Sequence, residues 1–235
     1  MKILGIETAL GFSEVALLEE GKDLLPRTLA DGTLYSENVV KLMRTLLRAS
    51  SMSLGELDGI AVSIGPGSFT GLRIGLSAAK GLAGSANRPL VGVSTLDALA
   101  GSVVYSKMIE TGCEFLAVID AKRDDYYCAS FYNDRGKPSR TSEPQIVTAY
   151  EICHSSPENE KVIVVGDGKA KLEQRLRDVR ISGGSELRII QKGSLVSPAA
   201  AVAILGLQKI KRGELADAVS LEPSYLKDFL IHTRS

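Results

Sequence analysis

Short apolar runs alternate with amphipathic stretches along this chain, and their order is nearly the same in both halves. In the first half, three strand-like runs precede a helix that begins near Ser36. Its apolar residues recur at helical spacing and form one broad stripe, which comprises Val39, Val40, Leu42, Met43, Leu46 and Leu47. Two strand–helix units follow, so the pattern predicts the element order βββαβαβα.

The second half predicts the same order. Phe115 to Ile119 has the pattern of a strand that ends at Asp120, just as the first strand of the chain ends at Glu7. These two acidic strand ends lie about half the chain apart, and Ser197-Pro198 begins a last long helix. We therefore predict a duplicated α/β protein with lobes at residues 1–110 and 111–235, each a mixed sheet flanked by helices. The C-terminal tail is expected to be able to pack back on the first lobe.

Composition predicts an ordered, electrically balanced protein. Apolar residues make up 44% of the chain, and 28 basic residues offset 28 acidic ones. Because phosphate contacts supply most of the affinity for nucleic acid, such a chain is expected to bind RNA weakly by itself. No run reaches the roughly 18 apolar residues of a membrane span, and no targeting segment is predicted. Three cysteines, Cys113, Cys128 and Cys153, cannot all pair, which favours a reducing, cytoplasmic setting.

The acid at the end of the first strand is the first candidate for chemistry. In actin-like ATPases an aspartate there, followed by small residues, approaches a metal-bound phosphate. Here the run is Glu7-Thr8-Ala9-Leu10-Gly11, with a longer acid and a bulky Leu10 where a loop would have to approach phosphate. This favours a carboxylate that hydrogen-bonds the lobe's own backbone. The run after Asp120 lacks glycine altogether, so we interpret Glu7, Thr8 and Asp120 as vestigial phosphate loops and expect no cofactor.

The loop Gly65-Pro66-Gly67-Ser68 is the most informative motif, because it follows a predicted strand and precedes a predicted helix from Phe69 to Gly84. It is not a P-loop, since no Gly-Lys-Ser/Thr follows. Small residues then recur every four positions, at Gly67, Gly71, Gly75, Ala79 and Ala83. This stripe allows either close packing inside the lobe or the docking of a partner helix. On the second alternative, Gly75→Leu is expected to abolish complex formation and leave the fold largely intact.

Patterns of metal ligands and nucleophiles are sparse. The two histidines, His154 and His232, are far apart, and the sequence contains neither His-x-x-x-His nor Gly-x-Ser-x-Gly. We therefore predict no metal site and no catalytic residue, and a metallopeptidase is a weak alternative.

Several runs taken together resemble the TsaB (YeaZ) family. The longest reads GPGSFTGLRIG from Gly65, and AKGLA follows from Ala79. The next block reads VGVSTLDALA from Val91. Shorter matches begin at Asp120, Gly166 and Pro223. The resemblance covers nearly the whole chain, and its first block is long and specific.

The resemblance implies a duplicated ribonuclease H-like fold of the actin-like ATPase (ASKHA) class. It also implies a place in the complex that transfers a threonylcarbamoyl group to the adenosine beside the tRNA anticodon. In that complex a paralogue, TsaD, is catalytic and an ATPase, TsaE, takes part. The TsaB-like subunit is a non-catalytic scaffold that docks TsaD through its first two helices, can self-associate, and meets tRNA only through the complex. On this chain the implied partner interface comprises Val39, Leu42, Met43, Leu46, Gly71, Arg73, Gly75 and Ala79.

One position departs from the family pattern. Many relatives carry histidine before Ser-Glu at the start of the first helix, where this chain has Tyr35-Ser36-Glu37. A role for that histidine therefore does not carry over. The alternative from another functional class is a divergent actin-like kinase or phosphotransferase, which binding of Mg-ATP would identify.

Overall fold

Two mixed β-sheets, each with helices on both faces, form the protein. The computed structural model describes residues 1–22, 27–31, 36–154, 161–178, 186–189 and 196–226. The first sheet contains β1 (Lys2–Glu7), β2 (Ser13–Glu19), β3 (Arg27–Asp31), β4 (Gly59–Gly65) and β5 (Leu90–Ser94), in the order β3-β2-β1-β4-β5. Its half of the chain also supplies α1 (Ser36–Ala49), α2 (Phe69–Ala86) and α3 (Thr95–Tyr105). The predicted order βββαβαβα is confirmed here.

The second sheet repeats this arrangement with one addition. Its strands are β6 (Glu114–Asp120), β7 (Asp125–Asp134), β8 (Lys137–Arg140), β9 (Gln145–Thr148), β10 (Lys161–Val165) and β11 (Glu186–Ile189). The order is β11-β10-β6-β7-β8, and β9 also pairs with β7. The helices are α4 (Ala149–Cys153), α5 (Lys169–Asp178) and α6 (Pro198–Lys211). Two short strands, β8 and β9, thus occupy the place that β3 holds in the first sheet.

Sequence analysis missed β8 because its residues show no apolar alternation. It forms a hairpin with β7 through Arg135 and Gly136, whose φ angles are 50° and 84°. Two successive positive φ angles are the mark of a type I′ turn, which matches the twist of paired strands. The turn therefore determines this strand more than its own residues do.

The outer face of each sheet is covered by helices from its own half. On the first sheet, α1 and α2 bury Val39, Met43, Leu46 and Leu76 against strand residues such as Leu4. On the second sheet, α4 and α5 contribute Ile152 and Leu172 to a smaller core. The amphipathic stripes that predicted α1 and α2 are thus turned towards the sheet, as burial of apolar side chains requires.

The inner faces are covered by exchanged helices. The last helix, α6, lies on the first sheet, where its alanines contact Ile3, Ala16 and Val91. Conversely, α3 from the first half packs Leu96 and Val103 on the second sheet, and α3 and α6 also contact each other. The start of α6 is held by Glu14 of β2, whose Oε2 accepts a hydrogen bond from the N–H of Ala199 at 2.9 Å. The division of the chain near residue 110 remains a prediction.

Candidate functional site at the strand ends

The turn after β1 is closed by its own side chains. Glu7 is fully buried, and its Oε1 accepts a hydrogen bond from the N–H of Ala9 at 2.5 Å. Thr8 Oγ1 donates to the carbonyl of Gly71 at 2.7 Å, which ties the turn to α2. These bonds agree with the interpretation that the strand-end acid serves the lobe's own backbone.

Glu7 lies in an environment that favours its neutral form. Burial raises the pKa of its carboxyl from 4.5 to about 8, and the Glu14 and Asp167 carboxylates act in the same direction. The Ala9 N–H and the nearby Ser63 hydroxyl oppose this shift of the pKa without cancelling it. The carboxyl is therefore mostly protonated at pH 7, and it lacks the charge that a metal-bound phosphate site needs.

We expect Glu7→Gln to change how stability depends on pH. Between about pH 4.5 and about pH 8, Glu7 keeps its proton in the folded protein but has released it in the unfolded chain. The free energy of unfolding therefore falls as pH rises through this range. The free energy of unfolding of the wild type should fall relative to Glu7→Gln by up to about 1.4 kcal/mol per pH unit. Urea denaturation of both proteins at several pH values measures this difference. Parallel pH profiles would show that Glu7 titrates normally.

The turn after β6 repeats the arrangement with different charges. Asp120 Oδ1 accepts hydrogen bonds from the N–H of Lys122 and from Lys171 Nζ, both at 2.7 Å. Partial burial acts to raise the pKa of Asp120, but Lys171 and the Lys122 N–H outweigh it and hold that pKa below its ordinary value. In both halves, the strand-end acid therefore accepts the N–H two residues further on.

Asp167 binds a further backbone donor at this second turn. Its Oδ1 accepts a hydrogen bond from the N–H of Asp120 at 3.2 Å. Part of the Asp167 side chain is exposed, but protein surrounds it on most sides. The resulting loss of hydration, together with the Asp120 carboxylate, raises the pKa of Asp167 to about 6. The Asp167 carboxylate is also close enough to Glu7 to raise the pKa of that carboxyl.

The motif loop Gly65–Ser68 holds the first turn in place. Gly67 has φ of 155°, and a Cβ there would come 2.6 Å from the carbonyl oxygen of Ala9. The N–H of Ser68 donates to that oxygen at 2.7 Å, while its hydroxyl caps α2 by accepting from the Gly71 N–H. Glycine at position 67 is thus required by close approach, and the motif acts locally as a structural clamp.

Most of the predicted partner interface lies inside the lobe. Val39, Met43, Leu46 and Ala79 are at most 2% exposed, so their side chains belong to the core. Gly71 and Gly75 are also buried, and a Cβ on either one would overlap Thr8. Of the two alternatives for the small-residue stripe, these contacts favour packing inside the lobe. The docking role of the predicted interface remains a prediction. Only half-buried Leu42 and exposed Arg73 keep surface that a partner can reach.

A partly overlapping set of residues on α1 and α2 lies half-buried at the edge of the core, beside one exposed glycine. We call it the α1–α2 face, and it comprises half-buried Leu42, Ile74, Ala78 and Leu82 together with exposed Gly81. No atom lies within 4 Å of a Cβ built on Gly81. The spacing of small residues predicted a helix with one glycine-rich side, but it did not indicate that this side faces the sheet.

The C-terminal tail covers the start of α2 on its other flank. The Arg73 guanidinium lies 3.8 Å from the centre of the Phe69 ring, and its Nε donates to the Tyr225 hydroxyl at 3.3 Å. Lys80 Nζ donates to the carbonyl of Val219 at 3.1 Å. The N–H of Ser224 reaches the carbonyl of Ile64, beside the motif loop. The Arg73 side chain is therefore partly engaged by Phe69 and Tyr225 of its own chain.

Buried polar residues near the first turn were missed by sequence analysis. Ser63 and Thr95 are fully buried, and neither Ser63 Oγ, Thr95 Oγ1 nor Glu7 Oε2 has a hydrogen-bond partner among the described residues. Glu14, which holds the start of α6, was also overlooked. Ser63 offered a signal, because it interrupts the otherwise apolar run from Ile60 to Ile64.

Metal-ligating and nucleophilic groups are dispersed. Within the described ranges, no three His, Cys, Asp or Glu side chains are placed to hold a metal ion. Burial raises the pKa of the free Cys128 thiol to about 12, which makes it a poor nucleophile. His154 stacks on Tyr150, whereas His232 and Tyr35 lie outside the described residues. The helices in the part of the chain described here include none that is long and apolar enough to cross a membrane.

The repeated sheets and their paired acidic strand ends define a duplicated actin-like protein. The activator of the 2-hydroxyisocaproyl-CoA dehydratase from Clostridium difficile, solved with bound ADPNP, shares this fold. It is 10% identical, with a TM-score of 0.50 over 91% of this chain and 97% of that one. YeaZ from Pseudomonas aeruginosa is more similar, with a TM-score of 0.77 and 25% identity over 96% of this chain and 99% of that one.

Sequence comparison identifies the family. Residues 27–186 match a family model described as TsaD: tRNA N6-adenosine threonylcarbamoyltransferase. The tRNA threonylcarbamoyladenosine biosynthesis protein TsaB of Escherichia coli (strain K12) is 31% identical over 97% of this chain and 95% of its own length. The chain belongs to the TsaB family.

Proposed function

We propose that the protein is a cytoplasmic, non-catalytic subunit of the machinery that adds threonylcarbamoyl to the adenosine beside the tRNA anticodon. Its similarity to TsaB along almost the entire chain supports this pathway. One observation carries the non-catalytic assignment. In both halves, side-chain carboxyl groups of the chain itself occupy N–H groups of the turns that would have to face a phosphate.

The proposed role is to support the catalytic subunit, TsaD, through the α1–α2 face. Its apolar members are half-buried, so a partner helix would complete their removal from water. Self-association would use the same surface, and a homodimer and the complex with TsaD would therefore exclude each other. TsaE joins the assembly in this proposal, and tRNA is bound by the assembly and not by this chain alone.

Reconstitution with purified components tests the proposal. Threonylcarbamoylation of tRNA by TsaD should depend on this chain, and titration calorimetry should detect no micromolar binding of Mg-ATP to the isolated chain. The contrary result is ATP turnover that survives further purification and disappears in Glu7→Ala or Asp120→Ala. That result would favour the kinase or phosphotransferase alternative.

Gly81→Leu should weaken the association with TsaD and leave the fold intact. Space is open around Gly81, and leucine is a better helix former by roughly 0.5–1 kcal/mol, so the melting temperature should hold or rise. A leucine on the α1–α2 face prevents close approach of a partner helix, and we expect affinity to fall by about tenfold or more. Calorimetric titration with TsaD measures this loss.

The matched control for this variant is Gly55→Leu, which also enters open space but lies outside α1 and α2. Its affinity for TsaD should equal that of the wild type. If Gly81→Leu also binds as the wild type does, the α1–α2 face is not the docking surface.

A further inference from the structure

We propose that the first sheet binds a buried water molecule at its strand ends, held by Glu7, Ser63 and Thr95. We call these three residues the strand-end triad. The water joins the ends of β1 and β4 to the start of α3. No member of the triad lies on the α1–α2 face, so this inference does not depend on the proposed function.

Strand register brings Glu7 and Ser63 together. In the parallel pair of β1 and β4, Ile6 lies opposite Val62, so Glu7 and Ser63 follow side by side. Side chains alternate between the two faces of a strand, and both residues therefore point to the same face as Ala61. This is the inner face, which α6 covers.

Thr95 comes from the next strand of the same sheet. Ser63 pairs with Val93 of β5, and Thr95 follows two residues later as the first residue of α3. The three side chains therefore come from consecutive strand ends, in the order β1-β4-β5.

The triad is buried without a full set of hydrogen-bond partners. All three residues are 0% exposed, and Glu7 Oε2, Ser63 Oγ and Thr95 Oγ1 lack a partner among the described residues. The Ser63 hydroxyl is near enough to lower the pKa of Glu7, although it forms no direct hydrogen bond with that carboxyl. Polar groups that approach each other just beyond hydrogen-bonding distance are commonly bridged by water.

Water fits the chemistry of the triad better than a cation does. Each hydroxyl can donate and accept a hydrogen bond, and the raised pKa of Glu7 leaves its carboxyl mostly protonated at pH 7, so the carboxyl can do both as well. A buried water typically makes about three hydrogen bonds to polar groups that have no other partner. A cation would instead need an ionised Glu7, and burial opposes that charge.

The second half satisfies its strand-end acid with other side chains. Asp120 accepts hydrogen bonds from the Lys122 N–H and from Lys171 Nζ. Its own N–H donates to Asp167. Among the described residues no lysine forms an ion pair with Glu7, so water is the partner expected at the first turn.

The sign of a change in stability tests the inference. Thr95→Val removes one hydroxyl and keeps the shape of the side chain. If the water is bound, this change removes one of its partners, and the equilibrium constant of unfolding should rise about fivefold. If the Thr95 hydroxyl is unpaired, the change removes a buried polar group without a partner, and the constant should fall. Urea denaturation at pH 7 measures this constant, and Thr70→Val, at an exposed position, is a control that should stay within about twofold of the wild type.

A double-mutant cycle distinguishes one shared water from separate contacts. Ser63→Ala, Thr95→Val and the double variant would be compared with the wild type. Loss of one shared water should make the two changes less than additive, whereas independent hydroxyls should give additive effects. Additive effects, or a Thr95→Val protein more stable than the wild type, overturn the inference.

Nuclear Overhauser spectra between water and protein detect the ligand directly. The wild type should show a long-lived water beside the Thr95 methyl group, and the double variant should lose that signal. No such signal in the wild type would contradict the inference. Denaturation midpoints in potassium chloride and in choline chloride should be equal at equal ionic strength. Extra stability in potassium chloride that disappears in Glu7→Gln would assign the site to a cation and overturn the inference. Circular dichroism confirms that each variant is folded.

Discussion

Gly75→Leu should destabilise the protein strongly and should not yield a folded chain that merely fails to bind. A Cβ at this position already overlaps Thr8 Oγ1, the atom that donates to the Gly71 carbonyl, and a leucine adds three further carbons. Overpacking of this kind typically costs about 1–3 kcal/mol, and we expect the upper end or more. For a chain of this size, about 3 kcal/mol corresponds to a fall in melting temperature of roughly 6–12 °C. This reverses the expectation drawn from the sequence.

Thermal melting of Gly75→Leu beside Gly81→Leu makes the comparison within one helix. The two variants carry the same substitution on α2, one towards the Thr8 turn and one towards solvent. Only Gly75→Leu should lose stability. A near-normal melt for it would mean that α2 does not approach the turn as closely as described.

Gly5→Ala should also be costly, although it adds a single methyl group. The Cβ would overlap the carbonyl oxygen of Ala199 and come 2.8 Å from the backbone nitrogen of Ala203. Backbone atoms cannot rotate away as a side chain can, so α6 would have to shift from the sheet. We expect a loss of about 3 kcal/mol in the free energy of unfolding.

Urea denaturation of Gly5→Ala measures this loss, with Gly55→Ala as its control. No atom lies within 4 Å of a Cβ at Gly55, so the control should stay within about 0.5 kcal/mol of the wild type. Equal midpoints for the two variants would contradict the close seating of α6 on β1.

Hydrophobic periodicity predicted the elements well but not their neighbours. The runs at β4 and β5 and the stripe of α1 are unambiguous because each has one dominant spacing. The stretch of α6 from Ala199 to Ala203 is apolar on nearly every side, so it does not indicate which surface it covers. The exchange of α3 and α6 between the sheets is therefore a property of tertiary packing that the pattern leaves open.

Sequence analysis predicted a hydrogen bond of the first strand-end acid but not the charged and buried surroundings of either acid. Strand-end position and residue type suggested that Glu7 bonds to its own turn, and it does; the equivalent bond of Asp120 was not predicted. The opposite shifts of their pKa values depend on neighbours from distant segments. Ser63 and Asp167 lie near Glu7, and Lys171 pairs with Asp120. Such contacts follow from strand register and from the approach of the two sheets, which local spacing does not encode.

The exchange of α3 and α6 gives the full chain the arrangement that two separate halves would have in a dimer. A single half would present an uncovered inner sheet face, and its last helix would extend towards a sheet that it lacks. Two copies of such a half would satisfy each other by trading those helices about a two-fold axis. The full chain thus has the architecture of a helix-swapped dimer joined end to end. Because the two halves belong to one chain, the exchange of helices is intramolecular. Its effective concentration is therefore high and independent of the protein concentration.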